Sequence, residues 1–148
     1  MTNEQLFSIA NTTALLGWIA LALAPARTVR LVRWAIPGAL AVLYVALIIR
    51  SLGGGGGEGG FDTLANVKRL FANDGALLAG WVHYLAFDLF TGTWEVRDAQ
   101  ALGIPHLAVV PCLLLTFLFG PAGWLLYAVL RGTWTWRRRS TEAGAAVA

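Results

Sequence analysis

Apolar residues in this chain fall in long runs broken by short polar stretches, rather than in the one-sided pattern of a soluble fold. The first run, Leu6 to Ala24, carries Ser8, Asn11, Thr12 and Thr13 but no charge. A helix rises about 1.5 Å per residue, so a run of this length spans roughly the hydrocarbon core of a bilayer. Pro25 and the arginines Arg27, Arg30 and Arg33 end it. The second run, Trp34 to Ile49, lies between Arg33 and Arg50. It is short for a span, but both arginines can snorkel and Trp34 suits the interface. Pro37 is expected in the first turn of this helix, where a missing amide costs little.

Gly53 to Gly60, interrupted only by Glu58, has the composition of a flexible linker. No Gly-Lys-Ser/Thr follows it, so it is not a phosphate-binding loop. Phe61, Leu64, Val67 and Leu70/Phe71 then recur at helical spacing, with Asp62, Asn66, Lys68 and Arg69 between them. This predicts an interfacial amphipathic helix over 61–73, closed by Asn73-Asp74-Gly75. A third run covers Ala76 to Trp94 and holds His83 and Asp88 near its middle. The fourth, Leu107 to Leu130, has no charge but is interrupted by Pro111 and by Gly120-Pro121, which predict a kink. Trp134, Trp136 and Arg137 to Arg139 close it, and residues 140–148 read as a disordered tail.

The fold class is therefore all-α: one domain over 1–139, a bundle of four transmembrane helices (about 6–24, 34–49, 76–94 and 107–130) with a short interfacial helix between the second and third. Composition agrees: 57% of the residues are hydrophobic and only 13% charged, more apolar surface than a soluble domain of this size can hide. The net charge is +3. The basic residues, all arginine except Lys68, sit between runs or at the C-terminus, which suits anionic headgroups better than nucleic acid. With both termini inside, that side holds Arg50, Lys68, Arg69, Arg131 and Arg137 to Arg139, and the other holds Arg27, Arg30, Arg33 and Arg97. The balance favours termini inside, although the first loop alone argues the reverse. The lone cysteine, Cys112, rules out a disulfide framework and reads as a small buried hydrophobe. MTNEQ lacks the basic region of a cleavable signal peptide.

Candidate chemistry concentrates in Gly80-Trp81-Val82-His83-Tyr84-Leu85-Ala86-Phe87-Asp88-Leu89-Phe90. A carboxylate within a span costs about 2.5 kcal/mol or more, so such a group is paired, faces the interior or keeps its proton. At about 100° per residue, Trp81, Tyr84, Asp88 and Glu95 share one helical face, and His83, Phe87 and Phe90 an adjoining one. Asp88 is either a structural partner of an arginine, Asn11 or Thr13, or a neutral acid able to donate a proton. His83 is either a cross-helix hydrogen bonder or a base. No HxxxH or ExxH spacing joins His83, His106, Asp88, Glu95 and Asp98 into a metal site, and no nucleophile elbow is present. Trp34, Trp94, Trp134 and Trp136 fit a belt, whereas Trp18, Trp81 and Trp124 are candidates to line a slot for an elongated apolar ligand.

These residues carry a resemblance. The string from Gly80 to Phe90, with Gly103-Ile104-Pro105-His106, Pro111-Cys112 and Phe119-Gly120-Pro121-Ala122-Gly123, resembles the abscisic-acid-deficient-four-like membrane family, whose plant members are neoxanthin-synthase-type proteins of plastid membranes. The likeness covers about the second half of the chain. It implies an integral membrane protein that binds, and by inference isomerises, a carotenoid-like polyene, either opening an epoxide to an allene or interconverting trans and cis forms. Neither reaction needs a redox cofactor. In that chemistry Asp88 is the expected acid, His83 the base and Tyr84 a relay. The expected substrate contacts are Trp81, Phe87, Asn11, His106 and Trp124, with no metal.

The absence of a transit peptide and the Arg, Ala, Gly and Trp usage point to a bacterial member, multi-pass in the cytoplasmic (inner) membrane. The expected partners are a polyene or lipid, carotenoid-pathway enzymes or a second copy of the chain, and no nucleic acid. The alternatives are a non-catalytic scaffold for carotenoid enzymes and, weaker for want of an internal repeat, a small proton-coupled transporter.

Overall fold

A computed structural model describes residues 1–23, 26–53 and 59–145 of the chain. Six helices lie among them: α1 (Asn3–Leu23), α2 (Ala26–Gly53), α3 (Leu64–Leu70), α4 (Asp74–Leu102), α5 (His106–Phe119) and α6 (Pro121–Ala145). Two segments, Asn3–Leu23 and Trp34–Ser51, are long and apolar enough to cross a membrane. Ala24, the expected end of the first span, Pro25 and residues 54–58 of the glycine linker fall outside the described residues.

α1 and α4 run in the same direction and meet through small residues. Gly17 lets Leu89 approach, and Gly92 seats the Trp18 ring, where an added Cβ would lie 2.6 Å from the indole. Apolar helices gain by such close backbone approach when lipid supplies no hydrophobic drive between them. α2 runs the other way between them, with Tyr44 against His83 and the Trp34–Ala41 stretch facing Ala86–Phe90. α2 starts eight residues earlier than the apolar run, because arginine is a good helix former and the helix continues through Arg27, Arg30 and Arg33. Pro37 therefore lies inside α2 rather than in its first turn, where its ring removes one backbone hydrogen bond.

α3 is shorter than the expected 61–73. Thr63 caps it by accepting from the Asn66 amide, and none of its residues is buried. Phe61 and Leu64 remain exposed, while Phe71 docks against Gly80 of α4. Asn73 caps α4 by accepting from the amides of Gly75 and Ala76, and Gly103 in a left-handed conformation (φ 69°) ends it.

The fourth apolar run does not form one kinked span. It divides at Gly120 (φ 40°, ψ −94°), a conformation that glycine tolerates and that lets the chain reverse. Pro121 then opens α6, where a missing amide is harmless. α5 descends beside α4, with Thr116 on Glu95 and Gly120 at Asp88. α6 climbs back, placing Tyr127 at Asp98 and both Trp134 and Arg138 at the Leu102 carbonyl. Gly123 touches the Thr116 backbone, so the two helices form a tight hairpin. α6 continues through Ala145, past the expected start of a tail at Ser140; residues 146–148 fall outside the described residues.

The core divides accordingly. One cluster (Ala10, Ala14, Leu40, Leu47, Leu78, Ala79, Val82, Leu85, Ala86) comes from α1, α2 and α4 alone. The other adds Val109, Cys112 and Leu113 of α5 and Tyr127 of α6 to Trp18, Leu21, Leu89 and Val96. The hairpin thus covers the C-terminal part of α4 and stops beside Asp88, which is the central residue of that 29-residue helix.

Candidate functional site

The face of α4 that carries Trp81, Tyr84, Asp88 and Glu95 looks toward the hairpin. Asp88 sits at its turn, where a Cβ on Gly120 would lie 2.8 Å from Oδ1 and 3.1 Å from Oδ2. Only glycine leaves the carboxyl this room. The Tyr84 hydroxyl neighbours Asp88 and donates to the Phe117 carbonyl at 3.2 Å, near the end of α5. Two turns further on, Glu95 is fully buried, and its Oε1 accepts from the Thr116 hydroxyl at 3.0 Å. Asp88 Oδ2 and Glu95 Oε2 are the two buried side-chain oxygens among the described residues that have no hydrogen-bond partner. Buried polar atoms are nearly always satisfied, so two orphans on one helical face mark it out.

Next along the chain, Asp98 accepts from the Tyr127 hydroxyl and from Arg131 Nε, both at 2.7 Å. Asp98 thus joins α4 to α6 through two partners on one oxygen.

On the other side of Asp88, below the hairpin turn, aromatic rings continue along the same face. Trp81 and Tyr84 have centroids 5.4 Å apart, and Phe7 of α1 lies 5.8 Å from Trp81. Asn11 fixes this cluster, accepting from Trp81 Nε1 at 3.1 Å and donating to the Phe7 carbonyl at 2.8 Å. The cluster opens onto a cavity of about 470 Å³ lined by Asn3, Glu4, Phe7, Asp74, Leu77, Leu78 and Trp81. Four of the residues expected to act together, Asn11, Trp81, Tyr84 and Asp88, are therefore assembled along one track.

The others lie elsewhere. His83 stacks on Phe87 with centroids 4.6 Å apart and leans on Tyr44 of α2 at 5.2 Å. Five residues of helix turn it about 140° from Asp88, so acid and expected base do not meet. Phe87 instead borders an apolar groove of about 280 Å³ with Trp34, Pro37, Gly38, Ala41, Ala86 and Phe90. His106 starts α5 at the far end, with Nε2 3.0 Å from the Ala22 carbonyl. Trp124 is 46% exposed on α6, and Trp18 is buried against Phe117. The three tryptophans proposed for a common slot are thus spread over a core, a track and an outer surface.

Glu95 shares the Asp88 face but follows the last apolar residue of the third run, which hides it among the polar residues that close a span. Its spacing from Asp88, two helical turns, is the signal that identifies it. Among the described residues no three His, Cys, Asp or Glu side chains group as a metal site.

A family model described as ABA DEFICIENT 4-like matches residues 5–127 of the chain. No curated protein and no solved structure matches it.

Proposed function

We propose, from the premise that this chain belongs to the ABA DEFICIENT 4-like family, that it is a multi-pass membrane protein that binds and isomerises a carotenoid-like polyene. In this reading α1, α2 and α4 cross the bilayer. The α5–α6 hairpin enters from the side of the α4 C-terminus and turns back at the depth of Asp88. α5, with 14 residues, is about 21 Å long and too short to cross alone. The Arg, Ala, Gly and Trp usage of the chain supports a bacterial cytoplasmic membrane as its place.

The observation that carries the proposal is the aromatic track Phe7–Trp81–Tyr84, which leads to the unpartnered oxygen of Asp88. The hairpin leaves the N-terminal part of this α4 face uncovered. An elongated apolar ligand lies there against Trp81 and Tyr84, its oxygen-bearing end toward Asp88. Asp88 gives its proton to an epoxide oxygen, the C–O bond breaks, and positive charge spreads along the polyene beside the π faces of Trp81 and Tyr84. The Asp88 carboxylate formed in that step then takes a proton from carbon, giving an allenic alcohol and restoring the acid. Atoms and electrons balance without an oxidant or reductant. Trans/cis interconversion uses the same proton, added to the polyene and then removed. With His83 facing α2, the base is Asp88 itself.

Cells carrying the wild-type gene, Asp88→Asn or Trp81→Ala are compared by pigment profile, and the purified proteins by polyene binding. A shifted isomer or epoxide-derived pool is expected for wild type only. Asp88→Asn keeps binding but loses conversion, and Trp81→Ala weakens binding. Wild-type protein that neither binds nor alters any polyene, or an Asp88→Asn variant as active as wild type, sinks the proposal. The apolar α2–α4 groove supports a second reading, a scaffold that docks a partner helix; retained partner capture with no change in pigments favours it.

A further inference from the structure

The Proposed function uses Asp88 and leaves Glu95 unexplained. We propose that Glu95 is a proton-relay residue, passing protons between Asp98 with Tyr127 at the end of the bundle and Asp88 beneath the hairpin turn. The purpose of the relay rests on the reading of Asp88 as the acid; its test does not.

The inference starts from cost. Glu95 is 0% exposed, and Thr116 satisfies only one of its two oxygens. A glutamine or an apolar residue would fill the same space at less expense, since burying a carboxyl with an orphaned oxygen costs more than burying either. Packing therefore does not account for a glutamate here. Its neighbours account for it better. Asp98 lies three residues away on the same helix, about 4.5 Å along the axis. Its Oδ2 already receives the Tyr127 hydroxyl and Arg131, and the Arg131 side chain reaches the exterior.

In the other direction Asp88 lies seven residues away, about 10.5 Å along the axis and on nearly the same face. That gap is too long for one direct transfer. One or two waters between the orphaned oxygens of Asp88 and Glu95, each needing a few polar partners, would close it.

Among the described residues the groups that neighbour Glu95 are few. α4 contributes Asp88, α5 contributes Thr116 and Cys112, and α6 contributes Tyr127, whose hydroxyl leads on to Asp98 and Arg131. α1 contributes Trp18 and Leu21 nearby, which do not titrate. Each transfer along this line breaks one O–H bond and forms another, so only a proton moves. Between turnovers the Asp88 proton equilibrates with the Asp98 end through this line, so each turnover starts from the acid form without opening the hairpin to water.

The test is infrared spectroscopy of the purified full chain in lipid nanodiscs, switched from H₂O to D₂O. Asp88→Asn and Glu95→Gln assign the C=O stretches of the two protonated carboxyls. In wild type both bands are expected to shift promptly. In Glu95→Gln, which keeps the acceptor for Thr116, the Asp88 band is expected to exchange about tenfold more slowly, equivalent to about 1.4 kcal/mol on the barrier. Glu95→Asp is expected to restore part of the rate, and Tyr127→Phe to slow it. Equal helical circular dichroism shows that these variants fold. An Asp88 band that exchanges at the wild-type rate in Glu95→Gln overturns the relay, as does the absence of any protonated band that depends on Glu95. Loss of pigment conversion in every protein would overturn the function proposed for Asp88 and leave this exchange result standing.

Discussion

Replacing Gly123 with alanine tests the fold where it departs most from a simple bundle. If the fourth apolar run were one continuous helix, the change would relieve a weak helical position and add up to about 1 kcal/mol of stability. In the hairpin, the new methyl group meets the backbone of Thr116 on α5, which cannot rotate aside as a side chain can. Overlap in a packed interior costs about 1–3 kcal/mol, and a backbone neighbour puts this case at the upper end. Moving Thr116 also withdraws the hydroxyl that satisfies Glu95, and an abandoned buried acceptor costs about 1–3 kcal/mol more. Set against the gain in helix propensity, a net loss of about 2–5 kcal/mol is expected. Gly132 on the same helix is the control, because nothing lies within 4 Å of a Cβ added there. The assay is unfolding in detergent micelles by heat or by added dodecyl sulfate, followed through tryptophan fluorescence. Gly132→Ala should be neutral or stabilising and Gly123→Ala strongly destabilising. A Gly123→Ala protein as stable as wild type would refute the hairpin packing.

Two further predictions address topology and the joint between α4 and α6. Three crossings and a hairpin that returns to its side of entry put the N- and C-termini on opposite sides of the membrane, whereas four crossings put them together; cysteine accessibility at residues 2 and 140 separates the two, and both labels on one side would exclude the re-entrant arrangement. Asp98 ties α4 to α6 by accepting from Tyr127 and Arg131, so Asp98→Asn should lower the unfolding midpoint in the same detergent assay, whereas Gly132→Ala does not; an Asp98→Asn variant as stable as wild type contradicts the assignment.

The parts that were legible in the sequence are those fixed by local chemistry. The described part of the first apolar run, 6–23, and the run 76–94 lie within α1 and α4, Asn73 caps α4 as its position suggests, and 64–70 is a helix because Thr63 and the apolar spacing make it one. Counting about 100° per residue placed Trp81, Tyr84, Asp88 and Glu95 on one face, and the contacts to α1, α5 and α6 follow that face. The start of α2 was hidden because arginines read as a polar boundary although they propagate a helix well. The path of the fourth run was hidden for a different reason. Gly120-Pro121 announces a break, but whether the chain continues or reverses depends on one glycine dihedral and on the Thr116–Gly123 contact. Neither has a periodic signature. The same count put His83 and Phe87 on an adjoining face, about 140° from Asp88 in the case of His83; that α2 packs on that face is a tertiary fact.

Where the hairpin stops matches the chemistry of the α4 face that it covers. From Leu77 through Trp81 to Tyr84, the uncovered stretch carries apolar or amphipathic side chains that suit contact with lipid or a polyene. From Asp88 through Glu95 to Asp98, the stretch beside α5 and α6 carries carboxyls that lipid would not accept. The change of character falls at Asp88, the same place as the change of cover. A hairpin two turns shorter would bare Asp88 to lipid, and one two turns longer would close off Trp81 and Tyr84. The length of α5, set by Gly120, is thus what allows one carboxyl to be shielded from the bilayer and still lie at the end of an open aromatic track.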